Sequence, residues 1–290
     1  MNDPNVKLQE LVMARDADVL RMARARQDAQ LEMDRRADNS SNRTMRSLGD
    51  FAAIVQKLQE NAQDYAKEAS GLISDAKARI AERPKEDQTV VVEDRAAAVS
   101  AAALYAVLVP YYVRLYNSDG TTYYSGYSPG NVDLWDDAQG SGNGWFGNGG
   151  ASIDVLADWW YYFSPNTDRW YNYTIVAPMH GFYICYADDG FWDSKEAHVK
   201  ADISATGYQY TWKPTTTTNL FDYDGQNINL ANRYDNNPVF YYSDLLGADT
   251  AYLRVTQSLY GYARGDGSHA ELNFSDGSAN YLSPPTVYVT

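Results

Sequence analysis

Two periodicities divide the chain. Leu48, Phe51, Val55, Leu58, Ala62, Tyr65, Ala69, Leu72 and Ala76 recur at alternating steps of three and four, the a/d pattern of a helix that buries one stripe. Upstream, Leu8, Val12, Val19, Met22 and Met33 fall at similar spacing, interrupted by Arg15 and Arg26. Asp3 and Pro4 supply an N-cap and a first-turn proline for that first helix. The run Asn39–Asn42 breaks it, and Pro84 ends the second helix. Residues 1–84 are therefore expected to form a helical stalk, either an antiparallel hairpin or a parallel coiled coil. Met33 to Leu48 is fifteen steps, one more than two heptads, and this slip in phase favours the hairpin. A lone amphipathic helix is marginal in water, so the seam calls for a partner, and a homo-oligomer is expected.

From Val107 the period drops to two. Segments such as YYVRLY, YNYTIVA, GFYICYA, AHVKADISA and AYLRVTQSLYGYA alternate or run in β-branched and aromatic residues. Turn signals separate them: NSDG at 117–120, DDG at 188–190, DYDG at 222–225, RGDG at 264–267 and SDG at 275–277. The pattern predicts an all-β sandwich or jelly roll over residues 107–290, giving an α+β chain whose two structure types are segregated. The stretch SIDVLADWWYYF fits a turn of helix or a strand pair. KPTTTTN (213–219) reads as an extended crossing or edge. Residues 85–106 form a linker and junction. Eighteen uncharged residues lie between Arg95 and Arg114, the threshold length for a membrane span. Their many alanines and Pro110 favour a core strand, or a short helix leading into one, over membrane contact by residues 96–113.

Composition sharpens the second half. The chain has 25 Tyr and 7 Trp against 8 Phe, and Tyr and Trp suit half-wet surfaces as well as cores. The net charge is −14. Residues 1–94 hold 15 Lys/Arg against 18 Asp/Glu, and the remainder 9 against 20. Such acidity disfavours nucleic acid and anionic lipid as partners. The single cysteine, Cys185, excludes an internal disulfide and reads as a small buried hydrophobe. The N-terminus lacks the basic-then-apolar layout of a signal peptide. The expectation is a protein made in the cytoplasm that acts within a particle or after release.

Candidate chemistry is sparse. Asp136, Asp137, Asp188, Asp189, Asp193 and Glu196 offer carboxylates for a glycosidase pair, but Asp beside Gly is first a turn residue. His180, His198 and His269 lack ligand spacing. Asp222, Asp224, Asn227 and Asn229 alternate around a glycine turn and suit a calcium loop without the closing Glu; no other cofactor is expected. RGD at 264–266 fits a hairpin turn. What remains is aromatic surface. Trp145 and Phe146 sit in a Gly-rich loop, and Trp159, Trp160, Tyr161, Trp170 and Tyr171 fall in two aromatic strands. Such rings stack on sugars or anchor protein partners.

The layout is similar in outline to fibre and adhesin proteins of phages and phage-like particles, which implies an oligomerising stalk and a β head recognising a surface glycan or protein. A non-enzymatic binding or assembly protein is the leading expectation. The alternatives are a pore-forming or insecticidal-type toxin with a β receptor-binding domain, then a carbohydrate-active enzyme, and last a structural shell protein.

Overall fold

The computed structural model describes residues 6–14, single positions between 21 and 36, and residues 51–82, 104–117, 121–141, 150–188, 195–275 and 279–290. The β part is two layers. The first sheet runs in the order β10 (Thr216–Gly225), β8 (Glu196–Gln209), β13 (Ala251–Arg264), β5 (Gly150–Phe163), β2 (Tyr112–Asn117) and β3 (Thr122–Tyr127), with β9 (Thr211–Trp212) folded back on β8. The stretch SIDVLADWWYYF lies within the single fourteen-residue strand β5, and the Thr-rich run forms the edge strand β10.

The second layer has two sections. One is β11 (Asn227–Asn236), β7 (Met179–Asp188), β14 (His269–Phe274) and β4 (Leu134–Gln139), with β15 (Tyr281–Leu282) on β7. The other is β12 (Val239–Leu246), β6 (Arg169–Val176), β16 (Thr286–Val289) and β1 (Ala106–Leu108). Three chain segments pass directly from one section to the other, and each is interrupted by proline: Pro178 between β6 and β7, Pro238 between β11 and β12, and Pro284-Pro285 between β15 and β16. Proline cannot donate to a ladder, so a row of prolines cuts the sheet across its width. The cut is bridged: the Ala177 N–H donates to the Pro238 carbonyl and the Ser283 N–H to the Pro178 carbonyl, both at 3.1 Å. The two sections are thus halves of one bent layer.

Alternation fills the space between layers. On β5, Trp159, Tyr161 and Phe163 point inward, as do Leu253, Val255 and Leu259 on β13. They meet Tyr171, Tyr173 and Ile175 of β6, Cys185 of β7, Leu272 and Phe274 of β14 and Val287 of β16. Two of the aromatic tips inside are satisfied: Trp159 Nε1 donates to Gln257 Oε1 at 2.8 Å, and the Tyr161 hydroxyl to the Pro285 carbonyl at 2.7 Å. Burial pushes the Cys185 thiol up to about 12, the state of an inert core cysteine.

The turn signals do more than close hairpins. DYDG ends β10 in the first sheet and leads to β11 in the second, and RGDG does the same between β13 and β14. The RGD triplet therefore lies at a sheet-switching corner, a correction to the expected hairpin. Gly265 and Gly267 take φ of 83° and 84° there, a region open to glycine. Ser268 Oγ closes the corner against the Arg264 and Gly265 carbonyls, 2.7 Å from each.

Both described helices pack on the sandwich. In α1, which includes residues 6–14, Leu8, Leu11 and Val12 pack on Trp160 and Tyr252, on the outer face of the first sheet. In α2 (Phe51–Glu82), Ala69 and Ile80 are buried against Phe182, Ile184 and Tyr186, with Ile73 and Ala231 beside them. Over its described side chains, the stripe read as a helix–helix seam is thus used against a sheet. The seam position Leu72 is 39% exposed. The buried positions Ala69, Ala76 and Ile80, with the half-buried Ile73, follow the i, i+4, i+7, i+11 spacing that suits a broad face. Lys77 Nζ reaches Glu271 Oε2 on β14 at 2.7 Å. Of the 96–113 segment, the described part forms β1, held to β16, and enters β2. No helix among the described residues is long and apolar enough to cross a membrane.

Candidate functional site

Strand alternation decides which of the expected aromatic residues can meet a ligand. Trp159, Tyr161 and Tyr171 face the core at 1% exposure or less. Trp160 faces outward but lies under Leu8, Leu11 and Val12 of α1. Tyr171 additionally donates to the Thr167 carbonyl at 3.0 Å and stands beneath the Arg169 guanidinium, 4.6 Å from its ring. Trp145 and Phe146 lie outside the described residues. Trp170 alone of the described set is open, at 63% exposure.

The surroundings of Trp170 form a surface. β6 presents Trp170, Asn172 and Thr174 outward, and β12 presents Leu245, Ser243 and Tyr241 opposite them in register. The row continues from Tyr241 and Thr174 through Tyr288 of β16 to Val107 of β1. Two apolar rows therefore flank a polar one: Trp170 with Leu245 on one side, Tyr241 with Tyr288 and Val107 on the other, and Asn172 with Ser243 between. Strand rise places the two apolar rows roughly 13 Å apart. Tyr241 is 70% exposed, and Leu245 and Val107 are each 51% exposed. Ser243 Oγ donates to Asn172 Oδ1 at 2.8 Å, which leaves the Asn172 amide N–H groups outward-facing donors. The opposite side of the same strands is core: Tyr173 packs on Tyr242 in a tilted pair with ring centres 5.5 Å apart, and the Tyr242 hydroxyl accepts from the Gly207 N–H at 3.0 Å.

Tyr241 and Tyr288 were not among the expected ligand residues. The alternation in VFYYSDLL carried the signal, since it exposes Tyr241, Ser243 and Leu245 together once Phe240 and Tyr242 are set inward.

The acidic candidates separate. Asp136 and Asp137 point to opposite faces of β4. Asp136 is buried toward Gly261, and burial pushes its carboxyl well above the usual carboxylate range, with Asp154 and Asp137 adding to the effect. Asp137 faces outward beside His269 of β14. Asp188 ends β7, Glu196 starts β8, and Asp189 and Asp193 lie outside the described residues. The calcium candidates fall on strands β10 and β11. There, Asp222 Oδ1 lies 2.6 Å from His198 Nε2, and its other oxygen 3.6 Å from Lys200 Nζ, so side-chain donors already hold the Asp222 carboxylate.

No protein-family model and no curated protein matches the chain. Among solved structures, one described as "CBM4 structure and function" is similar at 10% identity, over 52% of this chain and 86% of its own, with a TM-score of 0.16. A likeness that weak carries neither fold nor function.

Proposed function

We propose that this protein is a non-catalytic binding protein for neutral oligosaccharides, and that the outer face of β6, β12 and β16 is its recognition surface. The observation that supports this is the exposed row structure itself: Trp170 and Tyr241 flank Asn172 and Ser243 on rigid strands. Aromatic faces stack on the apolar faces of pyranose rings, and amide and hydroxyl groups between them exchange hydrogen bonds with sugar hydroxyls. Rows about 13 Å apart suit a chain of several sugars rather than one. The acidic charge of −14 selects neutral over anionic glycans. Among the described residues the face has no enclosing cleft with opposed carboxylates, and binding without turnover is the role it fits.

The test is a glycan array with the full chain, followed by calorimetry on the best oligosaccharide with wild type and Trp170→Ala. Saturable binding that Trp170→Ala removes supports the proposal. No binding across a broad neutral panel, or binding indifferent to Trp170→Ala, overturns it.

A further inference from the structure

A second cluster lies on the other half of the bent layer, under α2. Glu271 and Asp137 are a cross-strand pair on β14 and β4, and His269 stands two residues from Glu271 on the same face. One ligand atom from each of Asp137, His269 and Glu271 can be chosen so that all lie within 4.8 Å of one another. His269 Nε2 is 3.1 Å from Glu271 Oε2, and Nδ1 is 3.8 Å from Asp137 Oδ1. Both ring nitrogens thus face carboxylate oxygens. A neutral imidazole has a single N–H, so one ring nitrogen keeps a lone pair on the side of a carboxylate. A dication can take a ring nitrogen together with an oxygen from each carboxylate.

Other features favour the dication. Each carboxylate ligand is oriented by an amide behind it: Gln139 Nε2 donates to Asp137 Oδ1 at 3.4 Å, and Asn273 Nδ2 to Glu271 Oε1 at 3.3 Å. Such outer partners are what metal ligands need to hold their direction. The three ligands stand on two paired strands, so little ordering is required when an ion arrives. His269 and Lys77 also line a cavity of about 430 Å³ with Ser70, Ser74 and Gln139, which supplies an entry path and room for water to complete the coordination.

We propose that Asp137, His269 and Glu271 form a binding site for a first-row divalent transition metal, and that Lys77 of α2 is its competitor. One imidazole with two carboxylates suits zinc and its neighbours better than calcium or magnesium, which prefer all-oxygen shells. Lys77 Nζ, 2.7 Å from Glu271 Oε2, occupies the negative potential that the ion requires. Metal and Lys77 therefore exclude each other, and loading the site releases the salt bridge that ties α2 to β14. The site is separate from the Trp170 face, and its fate is independent of glycan binding.

The experiment uses the full chain stripped with chelator at neutral pH. Zn²⁺ is titrated by calorimetry, and Co²⁺ is titrated by visible absorption, which reports an imidazole–oxygen coordination sphere directly. One equivalent should bind. His269→Ala and Asp137→Asn should each weaken binding at least about tenfold, and Lys77→Met should tighten it by a similar factor. Asp137 is partly exposed, so Asp137→Asn tests the ligand set without threatening the fold, and circular dichroism checks all three variants. Absence of saturation by either metal in both wild type and Lys77→Met overturns the proposal. So does full affinity in Asp137→Asn, or weaker binding in Lys77→Met.

Discussion

The two halves of the bent layer are made from continuations of the same strands, yet their outer faces are opposites. Across the proline cut, β7 and β11 present Phe182, Ile184, Tyr186 and Ala231, and α2 covers them. On the near side, β6 and β12 present Trp170, Asn172, Tyr241, Ser243 and Leu245, and among the described residues no helix packs on them. The covered half carries an apolar row along β7 with Ala231 beside it, and next to that row, on β14, the polar side chains His269, Glu271 and Asn273, of which Glu271 is tied to Lys77 of α2. The open half interleaves aromatic and hydroxyl or amide groups. A helix needs the first kind of surface, because amide and hydroxyl groups buried under it would lose water without gaining partners. An oligosaccharide needs the second, because its rings have one apolar face and a polar rim. The same strand geometry thus carries two kinds of outer face.

The largest effect expected from this contrast is on stability in the covered half. Ile184 is 2% exposed between β7 and α2, and Ile184→Ala should cost about 3 kcal/mol, read as a lower denaturant midpoint. Trp170→Ala, of larger volume, should change stability by less than about 0.5 kcal/mol because the ring meets solvent. An equal cost at the two sites would mean that the open face is covered after all. The second effect is on binding: Trp170→Ala should lose about 2 kcal/mol of oligosaccharide affinity, roughly thirtyfold in Kd, while Ile184→Ala should leave affinity unchanged wherever the protein remains folded.

This contrast also marks what could be seen in the sequence. The period-2 runs located the strands, including the Thr-rich edge β10, because alternation is a local property of the backbone. The cut across the second layer was not legible: Pro178, Pro238 and Pro284-Pro285 are far apart in sequence, and only pairing brings them into a row. The stripe on α2 was seen, but a heptad pattern records that a face is buried and says nothing of whether the cover is helix or sheet. The aromatic candidates fell on an exposed position at Trp170 and on hidden positions at Trp159, Tyr161 and Tyr171, since composition identifies aromatic strands and only phase separates inside from outside. Asp137, His269 and Glu271 looked unrelated because the residues that converge come from two strands separated by more than a hundred positions in the chain.

The third effect concerns the charged tie between α2 and the covered half. Burial pushes the Glu271 carboxyl up, but hydrogen bonds from His269 and Lys77 outweigh it and hold the group below the usual carboxylate range. A carboxyl depressed in the folded state adds stability above its unfolded pKa of about 4.3 and loses it as pH falls through the lower folded value. Wild type should therefore exceed Glu271→Gln in melting temperature at neutral pH, with the gap closing as pH drops below about 4. A gap that stays constant through that range would mean that the Glu271 charge plays no part. Lys77→Met should cost about 1 kcal/mol at neutral pH, modest because the lysine is 43% exposed. No matching pH dependence should arise from changes in the open half, where Asn172 and Ser243 do not titrate.

The smallest effect separates the two occupants that an aromatic face can take. Ser243 Oγ holds Asn172 Oδ1 at 2.8 Å in the polar row between Trp170 and Tyr241. Ser243→Ala removes one exposed hydrogen bond, worth about 0.5 kcal/mol net, so stability should barely move. Its effect on binding depends on what is bound. An oligosaccharide uses the middle row to exchange hydrogen bonds with its hydroxyls, and the orientation of the Asn172 amide depends on Ser243, so affinity should fall about two- to threefold. A protein partner anchored by the aromatic rows would gain apolar contact from the alanine methyl, and its affinity should hold or rise. Measured beside Trp170→Ala on the same ligand, a loss in both variants marks a glycan surface. A loss in Trp170→Ala with none in Ser243→Ala marks a face built for protein, because the polar row matters only to a ligand that is itself polar along its middle.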